Sequence, residues 1–321
     1  MSRDASQAGG YKNISDAELR GLTDKYIAEY VHETLNDFRE KSKRFEYLFR
    51  RLTKSVHQVV LDMANELRSS DFEPLSFELD FGRTENLPPL QLGAGEDSLV
   101  LTGIADRVDG WLHEGKLYLR VVDYKTGSKS FDLSDVLYGM NLQMLLYLFS
   151  LAENGRLLYG RDIVPAGVLY IPAKDVVISS NTRLGEAELA KERADRVKRS
   201  GLILDDPDVI NAMEHGEKPR YIPVKFKNGA AQGSALASAE RLGLLAKHIE
   251  DTLKSMAKEL RRGSIAADPY YRAQQESACA NCDYVEACRF SDGENGEHMR
   301  PTPHLAATKV WSILEGGGEN G

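Results

Sequence analysis

Residues 99–127 read LVLTGIADRVDGWLHEGKLYLRVVDYKTG, two apolar-rich runs (Leu99 to Leu112 and Leu117 to Tyr124) on either side of Glu114-Gly115. Runs of this composition are strand-like, and a two-residue connection ending in Gly suits a tight hairpin. With Glu114-Gly115 as the loop, His113 pairs with Lys116, and the same register carried down the ladder sets Asp106 opposite Asp123. Alternation then groups Asp106 with Ile104 and Val108, and Asp123 with Leu117, Leu119, Val121 and Lys125. Directly opposed Cβ atoms lie about 4.5–5.5 Å apart, where like charges repel. A divalent ion offsets that repulsion, since Mg²⁺ is commonly held by one or two carboxylates with waters and substrate phosphates. Lys125 then points at the same place, suited to orient a water or stabilise an oxyanion. The competing reading is a solvated face with Lys125 as a surface partner. Glu78, in the alternating stretch Leu75 to Phe81, is a candidate third carboxylate or an ordinary exposed residue.

Outward from the hairpin, the pattern is that of a mixed α/β domain. Ser15 followed by Glu18 is a helix-start signature, and apolar residues at three- and four-residue steps continue the helical reading to Ser69. Thr84 to Asp97 is a loop. Asp132 to Leu151 is expected to be one largely buried helix, with Gln143 and Tyr147 one turn apart on one face. That pair is either a satisfied core pair or part of a site. Val164 to Ile171 and Val176 to Ile178 are strand-like, Gly185 to Arg199 helical, Ile222 to Phe226 a strand, and Ser234 to Arg262 a long amphipathic helix. Gly110 to Lys116 has phosphate-loop spacing, but Leu117 stands where Ser or Thr is needed and a strand follows. It is a coincidence.

The chain has 321 residues with Lys+Arg 41 against Asp+Glu 49, a net charge of −8. That excludes a uniformly basic nucleic-acid binder and leaves room for a local basic groove. The longest apolar stretch, Leu142 to Leu151, is too short to span a bilayer, and no signal peptide is expected, so no membrane association is foreseen. The three cysteines fall in Cys279-x₂-Cys282-x₅-Cys288. An odd, clustered set argues for a reducing, cytoplasmic setting. The same thiolates suit a soft metal or an Fe–S cluster, zinc with His298 or His304 as fourth ligand, or simply free thiols.

Three motifs in order, G-x-x-D-R-x-D at Gly103 to Asp109, V-x-D-Y-K-T-G at Val121 to Gly127 and Q-x-x-x-Y at Gln143 to Tyr147, resemble those of PD-(D/E)XK nucleases of the RecB type. The resemblance implies a restriction-endonuclease-like mixed sheet flanked by helices, with a C-terminal iron–sulfur segment. It implies Mg²⁺ on Asp106 and Asp123, Lys125 assisting the attacking water, and Gln143 and Tyr147 beside the DNA strand. The lead-in from Phe72 to Gly82 and the cysteine segment are similar to the C-terminal nuclease domain of AddB-type helicase–nuclease subunits. There the matching cysteines, here Cys279, Cys282 and Cys288, supply three ligands of a [4Fe–4S] cluster. The fourth ligand of that family lies upstream, and no fourth cysteine is present. The family's Gly-x-x-x-His metal-ligand motif has only Ala28-x-x-x-His32 and Thr53-x-x-x-His57 as counterparts, both without Gly and both expected to be helix-surface residues.

The expectation is therefore the C-terminal piece of a longer protein, with a diverged stand-alone nuclease as the other account. It comprises a flexible tail (1–14), a nuclease domain (15–263, core 72–178), a cysteine-rich iron–sulfur segment (264–305) and a second tail (306–321). The expected activity is Mg²⁺-dependent deoxyribonuclease or exonuclease action on single-stranded DNA, within a helicase–nuclease complex for double-strand-break repair by recombination. Arg107, Lys129, Lys225 and Lys227 are candidates to guide the strand. A catalytically silent DNA-binding scaffold and a zinc-stabilised interaction module are the alternatives.

Overall fold

The computed structural model describes residues 10–38, 41–82, 87–92, 99–127, 130–173, 185–294 and 296–316. The chain divides into two compact units, each discontinuous in sequence: residues 1–79, 104–131 and 151–238 in the first, and 80–103, 132–150 and 239–321 in the second.

Helix α1 (Asp16–Glu33) opens on Ser15, whose hydroxyl accepts from the Glu18 N–H while the Glu18 carboxylate accepts from the Ser15 N–H. This reciprocal cap is the one the sequence predicts. A short 3₁₀ turn at Asn36–Phe38 leads to α2 (Lys43–Arg68), capped by Ser42. Strand β1 (Glu73–Phe81) is followed by the antiparallel pair β2 (Leu90–Leu92) and β3 (Leu99–Leu101), then by β4 (Gly103–His113) and β5 (Lys116–Lys125). Next come α3 (Leu133–Leu137), α4 (Gln143–Tyr159), β6 (Ile163–Pro172), α5 (Glu186–Val197), β7 (Ser200–Leu204) and α6 (Pro207–Met213). The small pair β8 (Lys225–Lys227) and β9 (Ala230–Gln232) precedes β10 (Leu236–Ala237) and α7 (Ala239–Arg261).

In the first unit the sheet runs β1-β4-β5-β6-β7-β10. Strand β5 pairs antiparallel with β4 and parallel with β6, and β6 pairs antiparallel with β7, so the sheet is mixed. The β4–β5 ladder runs from His113 opposite Lys116 to Arg107 opposite Val122, the register the sequence predicts. Glu114 and Gly115 both have left-handed backbone, with φ of 47° and 79°. A turn of that kind twists in the same sense as its strands. Val108, Leu119 and Val121 are buried on one face, Arg107, Asp109 and Arg120 on the other. Tyr11 and Ile14 join α1 and α2 in a core cluster with Leu19, Met63 and Leu67, so the last residues of the expected tail are packed.

In the second unit α7 buries Leu242, Leu245, Ile249 and Leu253, at helical spacing, and packs against β2, β3 and the C-terminal helix. Beyond it lie β11 (Tyr270–Ala273), β12 (Glu276–Ser277), the single turn α8 (Val285–Cys288), β13 (Arg300–Pro301) and α9 (Ala307–Leu314). Helix α9 stands where a loose tail is expected. Val310 and Trp311 are buried, and the Arg241 guanidinium lies 5.2 Å from the Trp311 ring centre.

The expected helix Asp132 to Leu151 is instead two, α3 and α4, because Gly139 and Asn141 between them take φ of 78° and 55°. Strand β7 and helix α6 follow a charged helix so closely that periodicity hides them. Of Ile222 to Phe226 only the last two residues enter a strand, although Ile222 and Val224 are buried. Val176 to Ile178, Lys129 and most of Thr84 to Asp97 lie outside the described residues. Among the described residues, no helix is long and apolar enough to cross a membrane.

Candidate active site

Asp106, Asp123 and Lys125 all come from the β4–β5 hairpin of the first unit. The ladder ends at Arg107 opposite Val122, and one step beyond it stand Asp106 and Asp123. Asp106 Oδ2 accepts from the Tyr124 backbone N–H at 3.0 Å. Lys125 Nζ lies 2.6 Å from Asp123 Oδ2, with 28% and 15% of the two side chains exposed. The same ammonium sits 5.0 Å from the centre of the Tyr170 ring on the adjacent strand. This is a partly dried cation beside two partly dried carboxylates, where charge interacts more strongly than at an open surface.

Two part-exposed carboxylates side by side are hard oxygen donors, and Asp106 has one oxygen already oriented by a backbone amide. The donor set fits Mg²⁺, which asks the protein for only one or two carboxylates. Glu78 is not gathered with them. It is exposed, at a left-handed break (φ 50°) in β1, and among the described residues no three His, Cys, Asp or Glu side chains are placed to hold a metal. A left-handed residue interrupts the pleat, which the alternation argument for Glu78 assumes to be regular.

The opposite face of the hairpin holds a set of charges that local sequence patterns did not reveal. Arg107 Nε lies 2.8 Å from Asp109 Oδ1, and Arg107 Nη1 donates to the Tyr124 hydroxyl at 2.8 Å. Arg120 Nε donates to Asp109 Oδ2 at 2.8 Å, and its Nη2 lies 3.2 Å from Glu66 Oε1 on α2. Arg199 Nη2 donates to the other Glu66 oxygen at 2.8 Å. Arg107, Asp109, Arg120 and Glu66 are fully buried. Burial pushes the Glu66 carboxyl up, but Arg199, Arg120 and Arg107 together pull it below its ordinary range, to about 2. Burial also raises the Tyr124 phenol, which donates to Met63 Sδ at 3.2 Å. Arg107 thus cannot guide DNA, as its motif position suggested; it anchors the tyrosine between Asp123 and Lys125. The signal was available, because the alternation that groups Asp106 with Val108 places Arg107 and Asp109 on the other side of a central strand, where charge must be paired.

Gln143 and Tyr147 belong to the second unit and do meet: Gln143 Nε2 donates to the Tyr147 hydroxyl at 2.9 Å. The glutamine is exposed, while Tyr147 is buried and stacked on Phe81 at 4.7 Å. Gly103 is needed here, since a Cβ at that position would lie 2.0 Å from the Tyr147 hydroxyl. Lys225 and Lys227 are exposed on β8.

Cys279 and Cys282 are part-buried and Cys288 exposed at the end of α8. Their chemistry suits a soft metal, but the thiols are not gathered into a metal-binding group among the described residues. His304 contacts Asp132 and Glu276 instead, and His298 lies 4.0 Å from Asp292. His32 is exposed beside Asp37, and His57 Nε2 meets Asp24 at 2.9 Å.

Residues 11–289 match the family model described as the PD-(D/E)XK nuclease superfamily. Similar curated proteins include the AddB-type subunit of the ATP-dependent helicase/deoxyribonuclease of Clostridium acetobutylicum, 32% identical over 307 residues that cover 94% of this chain and 26% of that protein. The protein of the same name from Caldanaerobacter subterraneus is 32% identical over 312 residues, covering 95% and 26%. That from Acetivibrio thermocellus is 31% identical over 317 residues, covering 94% and 27%. The chain spans about a quarter of the length of these relatives.

Proposed function

This chain belongs to the PD-(D/E)XK nuclease superfamily, and from that premise we propose that it is a Mg²⁺-dependent deoxyribonuclease domain acting on single-stranded DNA. The observation that carries the proposal is the opposition of Asp106 and Asp123 with Lys125 on the same face. Asp106 and Asp123 would hold the ion. Bound there, Mg²⁺ supplies charge to the scissile phosphate and lowers the pKa of the attacking water. The Tyr124 amide fixes the direction of the Asp106 carboxyl. Lys125 orients the water through a hydrogen bond and faces the negative charge that grows on the phosphate oxygens. Gln143 and Tyr147 are proposed to contact the strand.

The relatives are named as one subunit of an ATP-dependent helicase/deoxyribonuclease. We extend this to a helicase partner, a role in double-strand-break repair by recombination and a cytoplasmic setting for the present chain. Three soft thiolates within ten residues support a further proposal, that Cys279, Cys282 and Cys288 ligate a [4Fe–4S] cluster with a structural role. Iron and sulfide analysis against zinc tests that point.

The test of the activity is cleavage of end-labelled single-stranded DNA with and without Mg²⁺, beside Asp123→Ala and Lys125→Met. The proposal expects no cleavage by Asp123→Ala. For Lys125→Met, which keeps the aliphatic stem, it expects slowed turnover with DNA binding retained. Undiminished cleavage by Asp123→Ala would remove this site from consideration.

A further inference from the structure

The first half of α2 is unlike the rest of the molecule. In a chain of net charge −8, residues 41–54 carry Lys41, Lys43, Arg44, Arg50, Arg51 and Lys54 against the single acid Glu46. Glu46 is engaged by Lys43 and Arg50. Arg44, Arg51 and Lys54 have no ion pair among the described residues. They fall with Tyr47 at three- and four-residue steps, so Arg44, Tyr47, Arg51 and Lys54 form one stripe along the helix. Tyr47 is 60% exposed. The opposite side of the same helix, toward α1, carries a half-open aromatic cluster. Phe49 packs on Tyr30, Phe38 and Phe45, with ring centres 5.3–6.4 Å apart, and the Lys41 ammonium sits 5.6 Å from the Phe45 ring centre.

Cations at helical spacing with an aromatic face between them are what a single nucleic-acid strand asks for. Its phosphates take the cations, and a base stacks on the ring without regard to sequence. We propose that the Arg44–Tyr47–Arg51–Lys54 stripe of α2 is a second contact for single-stranded DNA, outside the hairpin carboxylates, that holds the strand while the carboxylate site acts. The inference rests on the reading of DNA as substrate. The charge decides between possible occupants: an apolar protein partner has no use for three cations without an ion pair among the described residues, whereas a polyanion does. Arg44, Arg51 and Lys54 would each neutralise a phosphate and displace its condensed counterions, so binding should weaken with added salt.

The test uses the whole chain in EDTA, so that binding is measured without cleavage, with a fluorescent oligothymidylate as probe across a salt series. Replacing Arg44, Arg51 and Lys54 together by Gln should flatten the slope of log K against log salt by about 2, near 0.7 for each lost contact to a single strand. Tyr47→Ala should weaken binding by about 5- to 150-fold. Both changes are on the solvent side of the helix, and an unchanged thermal melt confirms that the fold is intact. Should the triple variant fail to fold, Arg51→Gln alone should flatten the slope by about 0.7. Unchanged affinity and slope in the folded variants would overturn the proposal and leave the helix as a protein-docking face. Asp123→Ala separates the two readings. If wild type cleaves DNA but the α2 variants bind as wild type, the strand contact falls and the nuclease reading stands. If no form cleaves DNA while α2 still governs strand binding, the nuclease reading falls and the contact stands.

Discussion

On one face of the β4–β5 hairpin Asp106, Asp123 and Lys125 keep part of their surface in water; on the other, Arg107, Asp109 and Arg120 keep none. Both faces are charged, and adjacent residues in the same motif supply them. The first face leaves like charges side by side with a lone cation, an arrangement that gains from an added ligand. The second sets guanidinium groups around each carboxylate, although two of their buried nitrogens, Arg120 Nη1 and Arg199 Nε, have no hydrogen-bond partner among the described residues. A buried set of this kind is a poor source of net stability, yet costly to break. A motif letter therefore does not by itself mark a reacting group. In G-x-x-D-R-x-D and D-Y-K, strand alternation sends Asp106, Asp123 and Lys125 one way and Arg107, Asp109 and Tyr124 the other.

Substitutions on the two faces should fail differently. The largest effect expected is on chemistry: Asp123→Ala should lower the cleavage rate by about 10³-fold or more while its urea midpoint stays near that of wild type, because a part-exposed ion pair is worth about 1 kcal/mol or less. A large loss of stability with activity retained would reverse the assignment of the faces. On the other face, Glu66→Gln leaves Arg120 and Arg199 short of a partner in the interior and should cost about 3–5 kcal/mol, read from urea denaturation. Its cleavage rate per folded molecule should change by less than about tenfold.

Acid titration sharpens the contrast. The Glu66 carboxyl is held down to about 2 from its ordinary 4.5. A depressed carboxylate stabilises the fold above its unfolded pKa and loses that contribution as pH falls toward its folded one. Wild type should thus lose on the order of 3 kcal/mol between pH 4.5 and 2 from this group, and Glu66→Gln should lack that portion of the acid transition. Equal acid slopes in the two proteins would show that the buried face does not carry it. The smallest effect concerns the turn that sets both faces. Glu114 takes φ of 47°, and Glu114→Asn, better suited to left-handed backbone, should raise stability by a few tenths to about 1 kcal/mol with no change in cleavage.

The hairpin and its register, from His113 opposite Lys116 to Arg107 opposite Val122, were legible because a two-residue turn leaves one register and alternation does the rest. Ser15 with Glu18 was legible for a similar reason, a local pattern with a local cause. The division of residues 132–159 into two helices was not, because leucines continue through the break and only the backbone of Gly139 and Asn141 records it. The ties from Glu66 to Arg120 and Arg199 were hidden by distance along the chain, since no local pattern pairs a glutamate on a helix with one arginine on a strand and another in the connection before β7. The basic stripe of α2 was overlooked because the apolar periodicity of the same helix drew the reading to its core-facing side.

The separation of Glu66 from Arg199, 133 positions along the chain, has a consequence during synthesis. At about 5–20 residues per second, roughly 7–27 s pass between the making of the glutamate and the making of its last arginine. Arg107 and Arg120 arrive earlier and give the nascent hairpin and α2 something to close upon, but one carboxylate oxygen waits. A ribosome that stalls before residue 199 therefore holds a half-closed interior with an unanswered charge at its centre, a form suited to capture by chaperones.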